Sequence, residues 1–279
     1  MRRISTRQLL VGNFTWRRLA RSLLLIYAIF ALYIFFQADS MIFLPQPASY
    51  QDTTTDNLLK LPVTETEQIS AVYLPNSQAT HTLLYIHGNA EDLGDIRPFL
   101  EQLLDWGFSV FAYDYRGYGT SDGKPSERNA YQDATTAYRH LTEQLRIPPE
   151  QMIVYGRSVG GGSATELASQ YPIGGLILES TFTSVFRVVV PFPLLPFDKF
   201  PNLTKLRTVQ CPVLIMHGEA DQTIPWHHGQ ALYAAAPEPK AFLWIENAGH
   251  NDFALVAGDR LREALRSFQQ MVAKESGSD

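Results

Sequence analysis

The chain has 279 residues, 45% of them hydrophobic and 18% charged, with a formal net charge of −5. That suits one large α/β domain with a substantial core and excludes a disordered chain or a basic nucleic-acid binder. The single cysteine, Cys211, excludes an internal disulfide, and no Cys/His spacing suggests a metal site.

Arg2, Arg3, Arg7, Arg17, Arg18 and Arg21 are the only charged side chains before Asp39, which leaves 17 basic against 28 acidic residues in the rest. Behind them Leu23 to Phe36 is an unbroken apolar run of 14 residues, extended to 20 by counting Leu19 to Ala38. At about 1.5 Å per residue the longer count spans about 30 Å, the hydrocarbon thickness of a bilayer. Residues 1–38 are therefore expected to be a basic arm and a membrane anchor. The arginines precede the run, which predicts a cytoplasmic N-terminus and a body on the opposite, extracytoplasmic side. The alternative is a signal peptide cut near Ala38-Asp39-Ser40, with the remainder secreted.

Residues 39–64, with Pro45, Pro47 and Thr53-Thr54-Thr55, read as a linker. Residues 65–275 then alternate between strand and helix patterns. Strands are predicted over Ile69 to Leu74, Thr82 to His87, Phe108 to Tyr113, Met152 to Tyr155, Gly175 to Leu178, Val213 to Met216 and Ala241 to Ile245. Helices are predicted over Asp92 to Trp106, Ser126 to Leu145, Val159 to Gln170, Trp226 to Ala236 and Asp252 to Val272. Apolar strands alternating with helices predict an α/β fold whose mostly parallel sheet is covered on both faces. Ligands of such sheets bind at the carboxyl ends of the strands.

Gly156-Arg157-Ser158-Val159-Gly160 sits at one of those ends. A strand turning sharply into a helix exposes a serine oxygen, and the two glycines let the backbone pass close to itself. A serine needs a base, and His250 follows the last strand in Asn247-Ala248-Gly249-His250. The base needs an orienting acid. Asp221 follows the strand Val213 to Met216, with Glu219 and Glu179 as alternatives and a plain turn aspartate as the bland reading. The order Ser158, Asp221, His250 is that of serine hydrolases on α/β sheets. The backbone N–H of Val159 and of Asn89, or Ala90 beside it, are the candidate oxyanion donors. Asp114 to Gly119 reads as a tight turn needing Gly117 and Gly119. His87 and His217 read as loop braces, and His227 and His228 as surface residues at a helix start.

His87-Gly88-Asn89-Ala90, Asp114-Tyr115-Arg116-Gly117-Tyr118-Gly119, the Ser158 motif, His217-Gly218-x-x-Asp221-x-x-x-Pro225 and Gly249-His250 together resemble the α/β-hydrolase superfamily. Within it the chain is similar to the bud-emergence-type subgroup, which includes membrane-associated protein depalmitoylases. Ser180 to Ser184 followed by an apolar insert shares that likeness. The resemblance implies an eight-stranded, mostly parallel sheet and no metal or organic cofactor.

The insert, 182–206, carries Pro191, Pro193, Pro196 and Pro201, which exclude one long helix. It is expected to form a short cap, with Phe182, Phe192 and Leu194 contacting an apolar acyl group; the alternatives are an ordinary buried connection and contact with the membrane the anchor enters. The expected activity is cleavage of carboxylic esters or thioesters of small or lipid-like acyl substrates through an acyl-enzyme on Ser158. A serine peptidase with the same triad is the alternative, and a non-catalytic scaffold the third reading.

Overall fold

A computed structural model describes residues 15–53, 57–275 and 277. The arginines at 2, 3 and 7 lie outside the described residues. The chain divides into two compact units, residues 1–41 and 42–279.

The described part of the first unit is one helix, α1 (Trp16–Ile42), whose last residue opens the second unit. It is long and apolar enough to cross a membrane. Most of its large apolar side chains are exposed, as suits a helix that is hydrophobic all round.

The second unit carries an eight-stranded sheet. Its strands are β1 (Leu58–Pro62), β2 (Gln68–Leu74), β3 (Thr82–Ile86), β4 (Ser109–Tyr113), β5 (Met152–Arg157), β6 (Gly175–Glu179), β7 (Val213–Gly218) and β8 (Lys240–Ile245). They lie in the order β1-β2-β4-β3-β5-β6-β7-β8. β1 and β2 are antiparallel to their neighbours and the remaining pairs are parallel.

Alternation along each central strand feeds two cores. Leu84, Ile86, Val154, Leu178 and Ile215 point to one face, and Leu83, Tyr85, Ile153, Tyr155, Ile177 and Met216 to the other. Both faces are covered, so β3 and β5 read as continuous apolar runs rather than alternating ones. The covering helices include α2 (Leu93–Asp105), α3 (Glu127–Arg139), α4 (Gly160–Gln170), α7 (His227–Ala235), α8 (Phe253–Ala257) and α9 (Asp259–Glu275). Two short helices, α5 (Val185–Val189) and α6 (Asn202–Leu206), stand in the insert, consistent with its four prolines.

Three expectations are corrected. The stretch read as a linker over 39–64 contains β1, an edge strand with Lys60 in its middle and Pro62 at its end, positions an edge tolerates. Lys60 is held by Ser70 Oγ and Thr120 O, each at 2.8 Å. The helix expected over Asp252 to Val272 is two helices, broken at Gly258, whose φ of +51° no right-handed helix accommodates. The helix expected over Ser126 to Leu145 ends its α-helical part at Arg139 and finishes as a π-helical turn, His140–Gln144.

Candidate active site

Register brings the candidate residues to one edge. Ile86 of β3 pairs with Gly156 of β5, Arg157 with Glu179 of β6, Glu179 with Met216 of β7, and Gly218 with Ile245 of β8. The segments that follow these strands therefore start side by side.

Ser158 is the turn between β5 and α4. Its φ is +52°, a left-handed conformation that L side chains rarely adopt. Three contacts hold it there. Ser158 N–H donates to Glu179 O at 2.9 Å, Gly161 N–H donates to Ser158 O at 3.1 Å, and Thr181 Oγ1 donates to the same oxygen at 2.6 Å. Gly160 is required by space, since a Cβ there would meet Ile86 O at 2.1 Å and His87 O at 2.6 Å.

His250 Nε2 lies 2.9 Å from Ser158 Oγ, and His250 Nδ1 lies 2.7 Å from Asp221 Oδ2. The structure thus joins the three residues in one hydrogen-bonded chain. Asp221 divides its carboxylate. Oδ1 accepts the N–H groups of Thr223 and Ile224, each at 2.8 Å, while Oδ2 faces His250. The aspartate that bonds its own turn also faces His250. Burial pushes the Asp221 carboxyl up, but the nearby His217, with Nε2 3.5 Å from Oδ2, and hydrogen bonds from His250 and Ile224 N–H outweigh it and hold the group well below the usual carboxylate range.

The rival acids stand in different surroundings. Glu219 is exposed. Glu179 is buried, accepts the Tyr155 hydroxyl, and has Oε1 3.3 Å from Arg157 Nε. Burial pushes the Glu179 carboxyl up.

The loop after β3 lies against Ser158, since a Cβ on Gly88 would be 3.4 Å from Ser158 Cβ. Among the described residues, neither Asn89 N–H nor Val159 N–H donates to another group of the chain. The Asn89 side chain is occupied. Its Nδ2 donates to Ile42 O at 2.6 Å, and its Oδ1 accepts from Leu44 N–H at 2.9 Å and Tyr118 OH at 2.5 Å.

His87 is buried, with Nδ1 donating to Gly88 O at 2.7 Å and Nε2 3.3 Å from Asp114 Oδ1 without hydrogen-bond alignment. Burial alone would lower the imidazole, but Asp114 leaves it raised. His217 Nε2 donates to Ile224 O at 2.8 Å, which braces the Asp221 loop. Gly117 and Gly119 have φ of +83° and +50°, as the tight turn requires.

Two placements differ from expectation. Phe182 is placed in the core. It is 5% exposed and packs against Phe200 in the core, whereas Phe192 and Leu194 are 57% and 41% exposed. His228 is not a surface residue but buried, with Thr183 N–H and Oγ1 at 3.3 and 3.0 Å from its Nδ1. Burial and the neighbouring His227 push its imidazole down to about 4.

Sequence reasoning missed Arg157. Its Nη1 donates to both oxygens of Glu91 at 2.8 Å, and its Nη2 donates to His250 O at 3.1 Å and Asn251 Oδ1 at 3.2 Å. Glu91 Oε1 in turn accepts Gly88 N–H at 2.6 Å. One guanidinium therefore ties the His250 loop and the Asn89 loop to the strand that carries Ser158. The signal for it was a charged residue inside the turn motif, where only a small or neutral residue is needed.

A sheet of this topology, with a serine on the strand-to-helix turn and an acid and a histidine on later loops, defines an α/β-hydrolase. A family model described as serine aminopeptidase, S33, matches residues 77–196, which include Ser158. The chain is 39% identical to α/β-hydrolase domain-containing protein aho-3 of Caenorhabditis elegans over 80% of this chain and 69% of that protein. It is 42% and 40% identical to α/β-hydrolase domain-containing protein 17B of Xenopus laevis and of Homo sapiens, each over 71% of this chain and 68% of the relative. The chain belongs to the α/β-hydrolase domain-containing protein 17 family. In fold it is similar to the Pyrococcus furiosus esterase Pf2001, with a TM-score of 0.68 at 18% identity over 82% of this chain and 98% of the esterase.

Proposed function

We propose that this hydrolase cleaves carboxylic esters or thioesters through an acyl-enzyme on Ser158. The observation that carries the reading is the chain from Ser158 Oγ to His250 to Asp221, at 2.9 and 2.7 Å, on a serine held at φ +52°. With Nδ1–H donated to Asp221, His250 Nε2 is the acceptor for the serine proton. Ser158 Oγ attacks the acyl carbon as His250 takes that proton. Asn89 N–H and Val159 N–H hold the oxyanion. The bond to the leaving alcohol or thiol breaks, and His250 protonates that group. Water then gives a proton to His250 as it attacks the acyl carbon, the bond to Ser158 Oγ breaks, His250 returns the proton to that oxygen, and the acid leaves. No step calls for a metal or organic cofactor.

Helix α1, with Arg17, Arg18 and Arg21 at its start, supports membrane anchoring with the N-terminus cytoplasmic and the hydrolase unit on the other side. Loss of the first 38 to 40 residues from the mature protein, read by its N-terminal mass, sinks the anchor and leaves the secreted form.

The family model's aminopeptidase description favours a second reading, peptide cleavage by the same residues. A fluorophosphonate probe and a substrate panel decide. Labelling of detergent-extracted protein is expected on Ser158 and absent from Ser158→Ala. Turnover is expected on p-nitrophenyl esters and acyl thioesters. Turnover confined to aminoacyl amides favours the peptidase, and an unlabelled Ser158 with no turnover removes both.

A further inference from the structure

We propose that Ile42-Phe43-Leu44, the first residues of the hydrolase unit, are a positioning strap that sets the Asn89 loop. The proposal rests on the reading of Asn89 N–H as an oxyanion donor.

The Asn89 side chain is held by the strap and by the turn beside it. Its one donor group goes to Ile42 O at 2.6 Å. Its oxygen accepts Leu44 N–H at 2.9 Å, Tyr118 OH at 2.5 Å and Ala90 N–H at 3.0 Å. An amide bonded through both its oxygen and its nitrogen is held in one orientation, and that orientation fixes its own backbone. That backbone needs fixing. Ala90, the next residue, has a φ of +58°, which L side chains rarely adopt.

Phe43 locks the strap in place. It is 3% exposed and meets the rings of Tyr115, Tyr118 and Phe200 edge-on, with centroids 6.1, 6.4 and 6.0 Å away. Tyr118 OH also accepts Leu44 N–H at 3.0 Å, so strap, turn and loop share one hydroxyl. The loop has two other ties, Tyr115 OH to His87 O at 2.7 Å and Gly88 N–H to Glu91 at 2.6 Å, and neither reaches Asn89. Among the described residues, the bonds from outside the loop that reach Asn89 itself come from the strap and Tyr118.

The strap is continuous with α1, because Ile42 is the last residue of that helix. A chain cut near Ala38-Asp39-Ser40 keeps the strap, whereas a chain cut after Leu44 loses it.

The test uses the full chain and p-nitrophenyl butyrate. Tyr118→Phe removes one oxygen, Phe43→Ala loosens the strap, and Asn89→Ala removes the clasp while keeping every backbone N–H. Each is expected to lower kcat, by about 5-fold for Tyr118→Phe and about 10- to 100-fold for Asn89→Ala. KM should stay within about two-fold of the starting protein, and the apparent pKa of the pH–rate profile should not move, because His250 and Asp221 are untouched. The double variant Phe43→Ala with Asn89→Ala should be no slower than Asn89→Ala alone. Losses that multiply in the double variant, a change confined to KM, or a Tyr118→Phe and Asn89→Ala pair that both keep full kcat overturn the strap. If the unmodified protein neither turns over esters nor labels at Ser158, the hydrolase reading fails first and the strap falls with it.

Discussion

Arg157, the residue before Ser158, donates to both carboxylate oxygens of Glu91 at 2.8 Å while its second terminal nitrogen holds the His250 carbonyl at 3.1 Å. Its side chain is 14% exposed, and Glu179 is the other carboxylate it faces. Removing this cation leaves two acidic groups without their counter-charge in a poorly solvated place. Breaking such a pair costs about 3–5 kcal/mol when one partner goes. Arg157→Met is therefore expected to destabilise the hydrolase unit by about 3 kcal/mol in urea denaturation. Arg157→Lys is expected to recover part of the stability but to leave kcat about 10-fold low, since one ammonium does not span Glu91 and His250 O together. Equal kcat for Arg157→Lys and the unmodified protein sinks the positioning role.

Ser158 stores strain as well as reactivity. A non-glycine residue at φ +52° costs on the order of 1 kcal/mol or more, which glycine avoids. Ser158→Gly and Ser158→Ala should both be inactive, yet the glycine variant should be the more stable by about 1 kcal/mol. Both variants lose the bond to His250 Nε2, so the difference isolates the backbone. Melting temperatures in the reverse order would falsify the strained turn.

Asp221 couples the site to pH. Its carboxyl is held below the unfolded value, so its stabilisation is present above the unfolded pKa of about 3.9 and is lost as pH falls through the folded pKa. The stability gap between the unmodified protein and Asp221→Asn should be constant from about pH 5 to 7 and shrink below about pH 4. The asparagine also cannot hold the His250 tautomer, and a fall in kcat of about 10³- to 10⁴-fold is expected. A gap that widens on acidification rules out the depressed carboxyl.

The central sheet was legible because burial on both faces turns strands into plain apolar runs, as Leu83-Leu84-Tyr85-Ile86 and Val213-Leu214-Ile215-Met216 show. Ser158 was a legible candidate because it directly follows β5, and Asp221 and His250 because they stand in the loops after β7 and β8. β1 was not, since an edge strand tolerates Lys60 and Pro62 and carries little apolar signal. The Arg157–Glu91 tie and the Asn89 strap were hidden for another reason. Their partners lie 66 and 45 to 47 positions apart, and nothing local marks them. Phe182 and Phe192 carry the same side chain in the same insert, and only packing against Phe200 separates a core residue from an exposed one.

That exposure gives the insert a testable part in substrate choice. Phe192 and Leu194 are 57% and 41% exposed, so replacing them with serine opens no cavity and should leave the melting temperature within about a degree. Each buried CH₂ of an acyl chain contributes about 0.8 kcal/mol, so a chain that lies along these side chains gains with length. A short chain that ends before reaching them gains nothing. The double variant Phe192→Ser with Leu194→Ser should therefore lower kcat/KM for p-nitrophenyl palmitate about 10-fold and leave p-nitrophenyl acetate unchanged. The buried Phe182 serves as the contrast. Phe182→Ala removes core packing against Phe200 and should cost about 3 kcal/mol of stability. Equal losses on both chain lengths in the double variant remove the acyl contact and leave these side chains as plain surface.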